Sequence, residues 1–446
     1  MPASPMNSQI YAGLFGDPET ERLFTDSAEV RAMLLVEGTL ARVQGSLGLI
    51  PDDAAAFIER AAREAQIDPA ALAADTARNG VPVPALLAAF RKAATAPDVM
   101  QYLHWGATSQ DIMDTGLALR LRPVLALWEA RLGTVLKQMA TLAETHAALP
   151  MAARTYGQIA TPTSFGAVVA SWGWPLITAR DRLAALRPAV LQVSLSGAAG
   201  TLSAMGPAGP AVRAALAQAL DLADPGHSWH SDRSGIGQLA GFAATLAASL
   251  GKIGEDLILL SQSGLAEATL GQGGASSTMP QKQNPVAPSA LVALARHVIG
   301  QAAILQGTGL HRQQRDGAAW FTEWLTLPQT CIALSRMLSL AQDCLSRLQP
   351  DPAALSAQID TSHGSIYAEA LTFALARQIP RPEAEQSVKA LLAEAAAADQ
   401  PLSILAARAN PWLDWSDIVA TSLGQAQNEA RSFSKKVRGL ENQPAN

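Results

Sequence analysis

The residues best able to do chemistry lie in one run, Gly273-Gly274-Ala275-Ser276-Ser277-Thr278-Met279-Pro280-Gln281-Lys282-Gln283-Asn284-Pro285. Glycines and hydroxyls make a pliant loop, and Pro285 is placed to open the helix that carries Leu291, Leu294 and Val298. Backbone N–H groups at such a helix start, with Lys282 beside them, form a site for a carboxylate or phosphate. The same positive field lowers the cost of a serine alkoxide. A second run, His104-Trp105-Gly106-Ala107-Thr108-Ser109-Gln110-Asp111, puts two hydroxyls where a long helix begins. Thr108 and Ser109 can cap that helix, bind a carboxylate, or do both, because both tasks use a helix N-terminus. By composition alone the first run also fits a flexible surface loop, and a lone histidine such as His104 is more often a satisfied structural residue.

Such loops need helices to hold them. Leu121, Val124, Trp128, Leu132, Val135, Met139 and Leu142 recur every three or four residues. Ile236, Leu239, Phe242, Leu246, Leu250, Ile253, Leu257 and Leu260 do the same. Long, narrow apolar seams suit helices packed side by side in a bundle. Before them, Ser27 is placed to cap a helix containing Val30, Met33, Leu40, Val43 and Leu47, closed by Gly48 and Pro51. Pro350 and Pro352 end the long-helix region, and shorter helices are expected at residues 367–377 and 382–396. No run alternates with period two, so no sheet is expected. The expected fold class is all-α with three helical domains: residues 1–107, a central long-helix bundle over 108–349, and 350–446.

Composition agrees. The chain has 446 residues, of which 49% are hydrophobic and only 5% aromatic, so a large core is affordable and a β-rich protein is disfavoured. A net charge of −5 argues against non-specific binding of nucleic acid or anionic membranes. Cys331 and Cys344 can neither staple so long a chain nor match zinc-finger spacing, and they read as buried thiols in a reducing compartment. His227 and His230 lack a third ligand, so no metal site is expected. In the run Trp229-His230-Ser231-Asp232-Arg233, Arg233 either reaches a carboxylate or pairs with Asp232 in a solvated loop. Residues 156–179 carry no charge, yet Gln158, Pro162 and several hydroxyls interrupt them; a buried core helix is expected there, not a membrane span. The N-terminus shows no secretory signal, and a soluble cytoplasmic protein is expected.

The Gly273-to-Pro285 run resembles the signature of the fumarase/aspartase superfamily, Gly-Ser-Ser-x-Met-Pro-x-Lys-x-Asn-Pro, complete except that Ala275 separates Gly274 from the serine pair. The resemblance implies that Ser276 removes a proton from carbon next to a carboxylate. Lys282 and Asn284 would then bind that carboxylate and steady the dianionic intermediate. The second run is similar to the superfamily's His-x-Gly-x-Thr-Ser-x-Asp, which implies that Thr108 and Ser109 contact substrate and His104 lines the site. A third run, Arg154-Thr155-Tyr156-Gly157-Gln158, resembles Arg-Thr-His-x-Gln and adds Arg154, Thr155, Tyr156 and Gln158 as substrate-binding candidates. Leu14-Phe15-Gly16-Asp17, Leu35-Val36-Glu37-Gly38-Thr39-Leu40-Ala41, Ala368-Glu369-Ala370-Leu371 and the stretch from Arg315 to Trp324 resemble the lactone-forming, cycloisomerase branch. Arg315 joins the substrate-binding set on that ground. Gln313 and Gln314 stand where relatives often carry charged residues or histidine.

One departure matters. Tyr156 occupies the position that is His in many members, where it protonates the leaving group, and the Glu that pairs with it in the adenylosuccinate lyase branch is here Ser289. An amine is a poor leaving group and needs a near-neutral acid, whereas a tyrosine titrates near ~10. A carboxylate needs no protonation to leave. The resemblance therefore implies reversible intramolecular addition of a carboxylate to a conjugated double bond, opening or closing a carboxymuconolactone. It implies a small anionic di- or tricarboxylate substrate, a homotetramer whose site draws on several subunits, and no cofactor. Two alternatives remain at this stage: another superfamily lyase that releases fumarate or a related alkene, and a non-catalytic homologue.

Overall fold

The computed structural model describes residues 4–271, 274–275, 278–279 and 281–441. Ser276, the expected base, lies outside the described residues, as do Gly273, Ser277 and Pro280. Helices make up most of the chain, and the all-α expectation holds. Those used below are α1 (Asp26–Ser46), α2 (Asp52–Glu64), α3 (Val83–Ala94) and α4 (Ser109–Thr145). After the strands β1 (Pro150–Thr155) and β2 (Gln158–Ser164) come α5 (Phe165–Val190) and α6 (Ser234–Leu260). The two-residue strands β3 (Gly274–Ala275) and β4 (Gln283–Asn284) precede α7 (Val286–Gly307) and α8 (Gly317–Arg347). The expected terminal helices appear as Ala368–Leu375 and Arg381–Ala398.

The chain forms two compact units. One comprises Met1–Arg131, Ala179–Ala248 and Ala293–Leu338; the other comprises Leu132–Thr178, Ser249–Val292 and Ser339–Asn446. In the first unit, α1 begins two residues earlier than a Ser27 cap would have it. Thr25 is the N-cap and accepts the Ala28 N–H at 3.2 Å. The helix ends in a Schellman motif: Gly48, at φ 73°, donates to Gly45 O, and Leu49 donates to Gln44 O, both at 2.8 Å. Close packing of α1 on α2 depends on two glycines. A Cβ at Gly38 would stand 2.8 Å from Ala62 Cβ, and one at Gly45 would stand 2.4 Å from Ala55 Cβ. The core beneath them includes Met33, Leu40, Ile58, Leu86, Phe90 and Ile112.

Both apolar seams fall where their period puts them. Every seam residue of α6 is buried, and on α4 only Leu142 is half-exposed. The expectation of no sheet fails locally, and so does the core helix expected over residues 156–179. Residues up to Ser164 form an antiparallel hairpin, with Thr155 opposite Gln158, Arg154 opposite Ile159, and an irregularity between Ala152 and Arg154. Helix begins only at Phe165. The physical reason is local. Pro162 has no N–H to give a helix, Thr161 and Thr163 favour extended backbone, and Tyr156-Gly157 makes the turn with φ of 52° and 74°. Two successive left-handed residues are what a type I′ hairpin turn requires.

Candidate active site

In the first unit the site is built on the start of α4. Thr108 is its N-cap: its carbonyl accepts the N–H of Ile112 at 3.4 Å and that of Asp111 at 3.0 Å. Asp111 reaches back to the Thr108 N–H at 3.0 Å, half of a capping box. The same carboxylate, fully buried, accepts the N–H groups of Ser196 at 2.8 Å and Gly197 at 2.9 Å, and lies 2.7 Å from His230 Nε2. Asp111 thereby fixes the small-residue loop Ser194-Leu195-Ser196-Gly197-Ala198 beside the helix start. Arg315 closes this arrangement from the segment before α8. Its Nε donates to Gln110 Oε1 at 2.7 Å, and its Nη2 lies 3.5 Å from Thr108 Oγ1 and 3.4 Å from Ala198 O. A guanidinium beside the N-terminus of a long helix is suited to an anion. Thr108, Ser109 and Arg315 are thus brought together.

His104 sits one turn upstream with a left-handed φ of 65°. Its Nδ1 is 2.6 Å from Oε1 of Glu37 on α1, and Glu37 is buried. Burial opposes protonation of this imidazole. The Glu37 carboxylate, helped by Asp111, outweighs burial and the repulsion of Arg91, and raises His104 above its usual value of 6.5.

Behind the helix start lies a buried charge cluster. Arg233 is not in a solvated Asp232 pair; its side chain is fully buried and grips Asp114 at 2.8 and 3.2 Å and Glu323 at 2.6 and 2.7 Å. Trp229 covers it, with the guanidinium 4.8 Å from the ring centroid. Burial works against the charge on Arg233, but the two carboxylates overcome it and hold the guanidinium firmly protonated. Glu323 is pushed up by burial and by Asp114, against the pull of Arg233. Gln110 ties the cluster to the site, donating to Asp114 Oδ2 at 3.1 Å while accepting from Arg315.

In the second unit, Asn284 stands on the short ladder β3–β4, where Gly274 is opposite Asn284 and Ala275 opposite Gln283, and Lys282 directly precedes β4. Lys282 is exposed and Asn284 half-buried. Gly274 has to be glycine, since a Cβ there would stand 2.5 Å from Val286 Cγ2. That close approach sets the spacing of β3 from the start of α7, on either side of Ser276 in the chain. Gly274→Ala is expected to lower kcat by about 10²-fold through misplacement of the loop, and Gly274→Ala combined with Val286→Ala to recover most of it in the same steady-state assay.

The third run lies on the β1–β2 hairpin. Arg154 donates to the buried carboxylate of Glu267 at 2.7 and 3.0 Å and lies 3.4 Å from Gln358 Oε1. Its guanidinium tethers the hairpin. Thr155, Tyr156 and Gln158 are exposed at the turn, and Tyr156 is fully solvent-accessible at 104%. A bulky aromatic held in left-handed backbone at an exposed hairpin tip is a costly placement, set here by the turn between Thr155 and Gln158.

A cavity of about 550 Å³ in the first unit, walled by Phe24, Val30, Met33, Leu72, Met113 and Trp324, includes none of the expected site residues. Among the described residues no group of acidic, histidine or cysteine side chains could hold a metal ion. His230, entertained above only as half of a metal pair, is buried against Asp111.

Comparison with known proteins decides the family. The lyase family profile matches residues 13–300, more than half of the chain. The chain belongs to this lyase family of the fumarase/aspartase superfamily. The lyase is 38% identical over 388 residues to 3-carboxy-cis,cis-muconate cycloisomerase of Pseudomonas aeruginosa, covering 86% of this chain and 84% of that protein. It is 38% identical over 406 residues to the protein of the same name from Bradyrhizobium diazoefficiens, covering 90% of each. The crystal structure of 3-carboxy-cis,cis-muconate lactonizing enzyme from Pseudomonas putida matches with a TM-score of 0.91 at 33% identity, over 97% of this chain and 100% of that one. Sequence reasoning passed over Glu37, Glu267 and the Ser194-to-Ala198 loop of this lyase. The signal for Glu37 was an acidic residue inside an otherwise apolar helix segment; the loop showed only as a run of small residues.

Proposed function

We propose that this lyase is an intramolecular one that interconverts 3-carboxy-cis,cis-muconate and its carboxymuconolactone. The observation that carries the reading is the joint replacement at Tyr156 and Ser289 in a chain that retains the serine loop, together with full-length likeness to named cycloisomerases. In the lactonising direction a carboxylate oxygen attacks the distal alkene carbon and a C–O bond forms. The π electrons move onto the carbon next to another carboxylate, giving an aci-carboxylate. Ser276 then delivers its hydroxyl proton to that carbon and is reprotonated from solvent. In reverse, the Ser276 alkoxide takes the proton and the ring carboxylate departs unprotonated. Lys282, Asn284, Thr108, Ser109 and Arg315 bind the carboxylates and stabilise the charge that develops. Thr155, Tyr156 and Gln158 shape the substrate end, and Arg154 holds their hairpin.

The same reading makes the enzyme a cytoplasmic homotetramer in which the three runs come from different copies. Support comes from α6 and α7, each apolar enough to cross a membrane, of which the most apolar stretches are only 56% and 50% buried within one chain. Ile299 and Ile304 on α7 stay exposed. Apolar faces of this length on a protein with polar ends are best covered by other copies. Sedimentation is expected to give four times the chain mass; a fully active monomer contradicts the shared site. The functional reading is tested by ultraviolet assay on a substrate panel. Loss of the conjugated absorbance of carboxymuconate supports it, whereas release of fumarate from adenylosuccinate or another succinyl-amine, with carboxymuconate untouched, overturns it.

A further inference from the structure

We infer that Glu37 is a positioning residue for substrate binding: its carboxylate fixes the Nδ1–H form of His104 and favours the imidazolium, leaving Nε2–H as the donor for a substrate carboxylate. The inference rests on the lactonising reading only for which carboxylate is bound.

The geometry leads there in three steps. Glu37 is buried in the middle of α1, and its Oε2 has no hydrogen-bond partner. A buried carboxylate with one unsatisfied oxygen is costly unless a cation faces it. The group that faces it is His104, with Nδ1 at 2.6 Å from Oε1. The turn that delivers His104 is strained to do so: its φ is 65°, and Gly106, at 72°, has no room for a Cβ, which would stand 2.8 Å from Met205 Cγ. A non-glycine residue stays in left-handed backbone when its surroundings over-determine it. With Nδ1 committed to Glu37, the other ring nitrogen is the one left to meet a ligand.

Three charged groups from three elements act on this ring. Glu37 from α1 and Asp111 from the first turn of α4 favour the imidazolium, and Arg91 from α3 disfavours it. Asp111 is already occupied by three backbone N–H groups and His230, so Glu37 is the one that tips the balance. A structural tether between α1 and the turn would need only a hydrogen bond, which Gln can supply. A charge-setting role needs the carboxylate.

The test uses the full-length enzyme labelled with ¹³C-histidine, the His104 resonance being assigned by its loss in His104→Gln. In the ligand-free wild type, His104 is expected to titrate above 6.5. In Glu37→Gln it is expected to fall by about one pH unit or more, since burial then acts without its counterweight. With carboxymuconate, Glu37→Gln is expected to raise KM at pH 7.5 by about tenfold, the loss of one charge-assisted hydrogen bond, while kcat at pH 6 stays within about twofold. A wild-type His104 that is neutral at pH 6.5, or a midpoint that does not move in Glu37→Gln, overturns the inference without using the substrate at all. A midpoint that moves while KM at pH 7.5 does not overturns the positioning role. If another carboxylate proves to be the substrate, the titration still reads and only the KM arm is repeated with that compound.

Discussion

Ser276→Ala enzyme is expected to lose turnover by about 10³–10⁴-fold, with melting temperature and substrate binding nearly unchanged. The size follows from the task. Carbon next to a carboxylate is a weak acid, and the proton must move between it and one positioned oxygen while the negative charge settles on a carboxylate. Neighbouring donors can stabilise that charge, but none replaces the proton carrier. Binding is expected to survive because Asn284 pairs with Gly274 across the β3–β4 ladder and Lys282 directly precedes that ladder. A single-turnover experiment at saturating carboxymuconate separates the two effects. Near-normal turnover in Ser276→Ala would remove the serine from the mechanism.

The largest stability effect is expected at Arg233. Arg233→Met leaves Asp114 and Glu323 buried side by side without their cation, at a cost of about 3–5 kcal/mol, read as a lower thermal midpoint. Raising the pH does not restore it, because deprotonated carboxylates are what the cavity left by the guanidinium cannot tolerate; acidic buffer recovers part of the loss by neutralising them. Neutralising the cluster as a whole, with Asp114→Asn and Glu323→Gln added to Arg233→Met, is expected to recover much of the difference. A midpoint for Arg233→Met equal to that of the wild type would show that the cluster is not a unit. Activity should fall with stability, since Gln110 connects Asp114 to Arg315 and so to the start of α4.

Helices were legible in the sequence because their seams are long. A period of three or four sustained across α4 and α6 has one physical reading, and the burial of those residues follows it. The β1–β2 hairpin was not legible in the same way. Its strands are short, its apolar residues few, and its turn depends on Tyr156 accepting a backbone conformation that tyrosine seldom takes. For the site, the hydroxyls at the start of α4 and the loop lysine could be found from residue type at a helix start. Their supports could not. Glu37, Glu267 and Arg233 act through partners far away in the chain: His104 is 67 residues from Glu37, and Glu267 is 113 from Arg154. A pairing of that kind leaves no periodic trace, and a buried charge reads in sequence like any other. Arg233 shows this well, since a solvated pair with Asp232 and a buried grip on two distant carboxylates are equally consistent with its neighbours.

Turnover of 3-carboxy-cis,cis-muconate in deuterium oxide tests the central claim most directly. The account predicts that the diene absorbance disappears and that the lactone carries one solvent-derived deuteron, at the carbon next to a carboxylate. A lactone formed without that label, or a diene left intact by enzyme that cleaves some other carboxylic substrate, would contradict it.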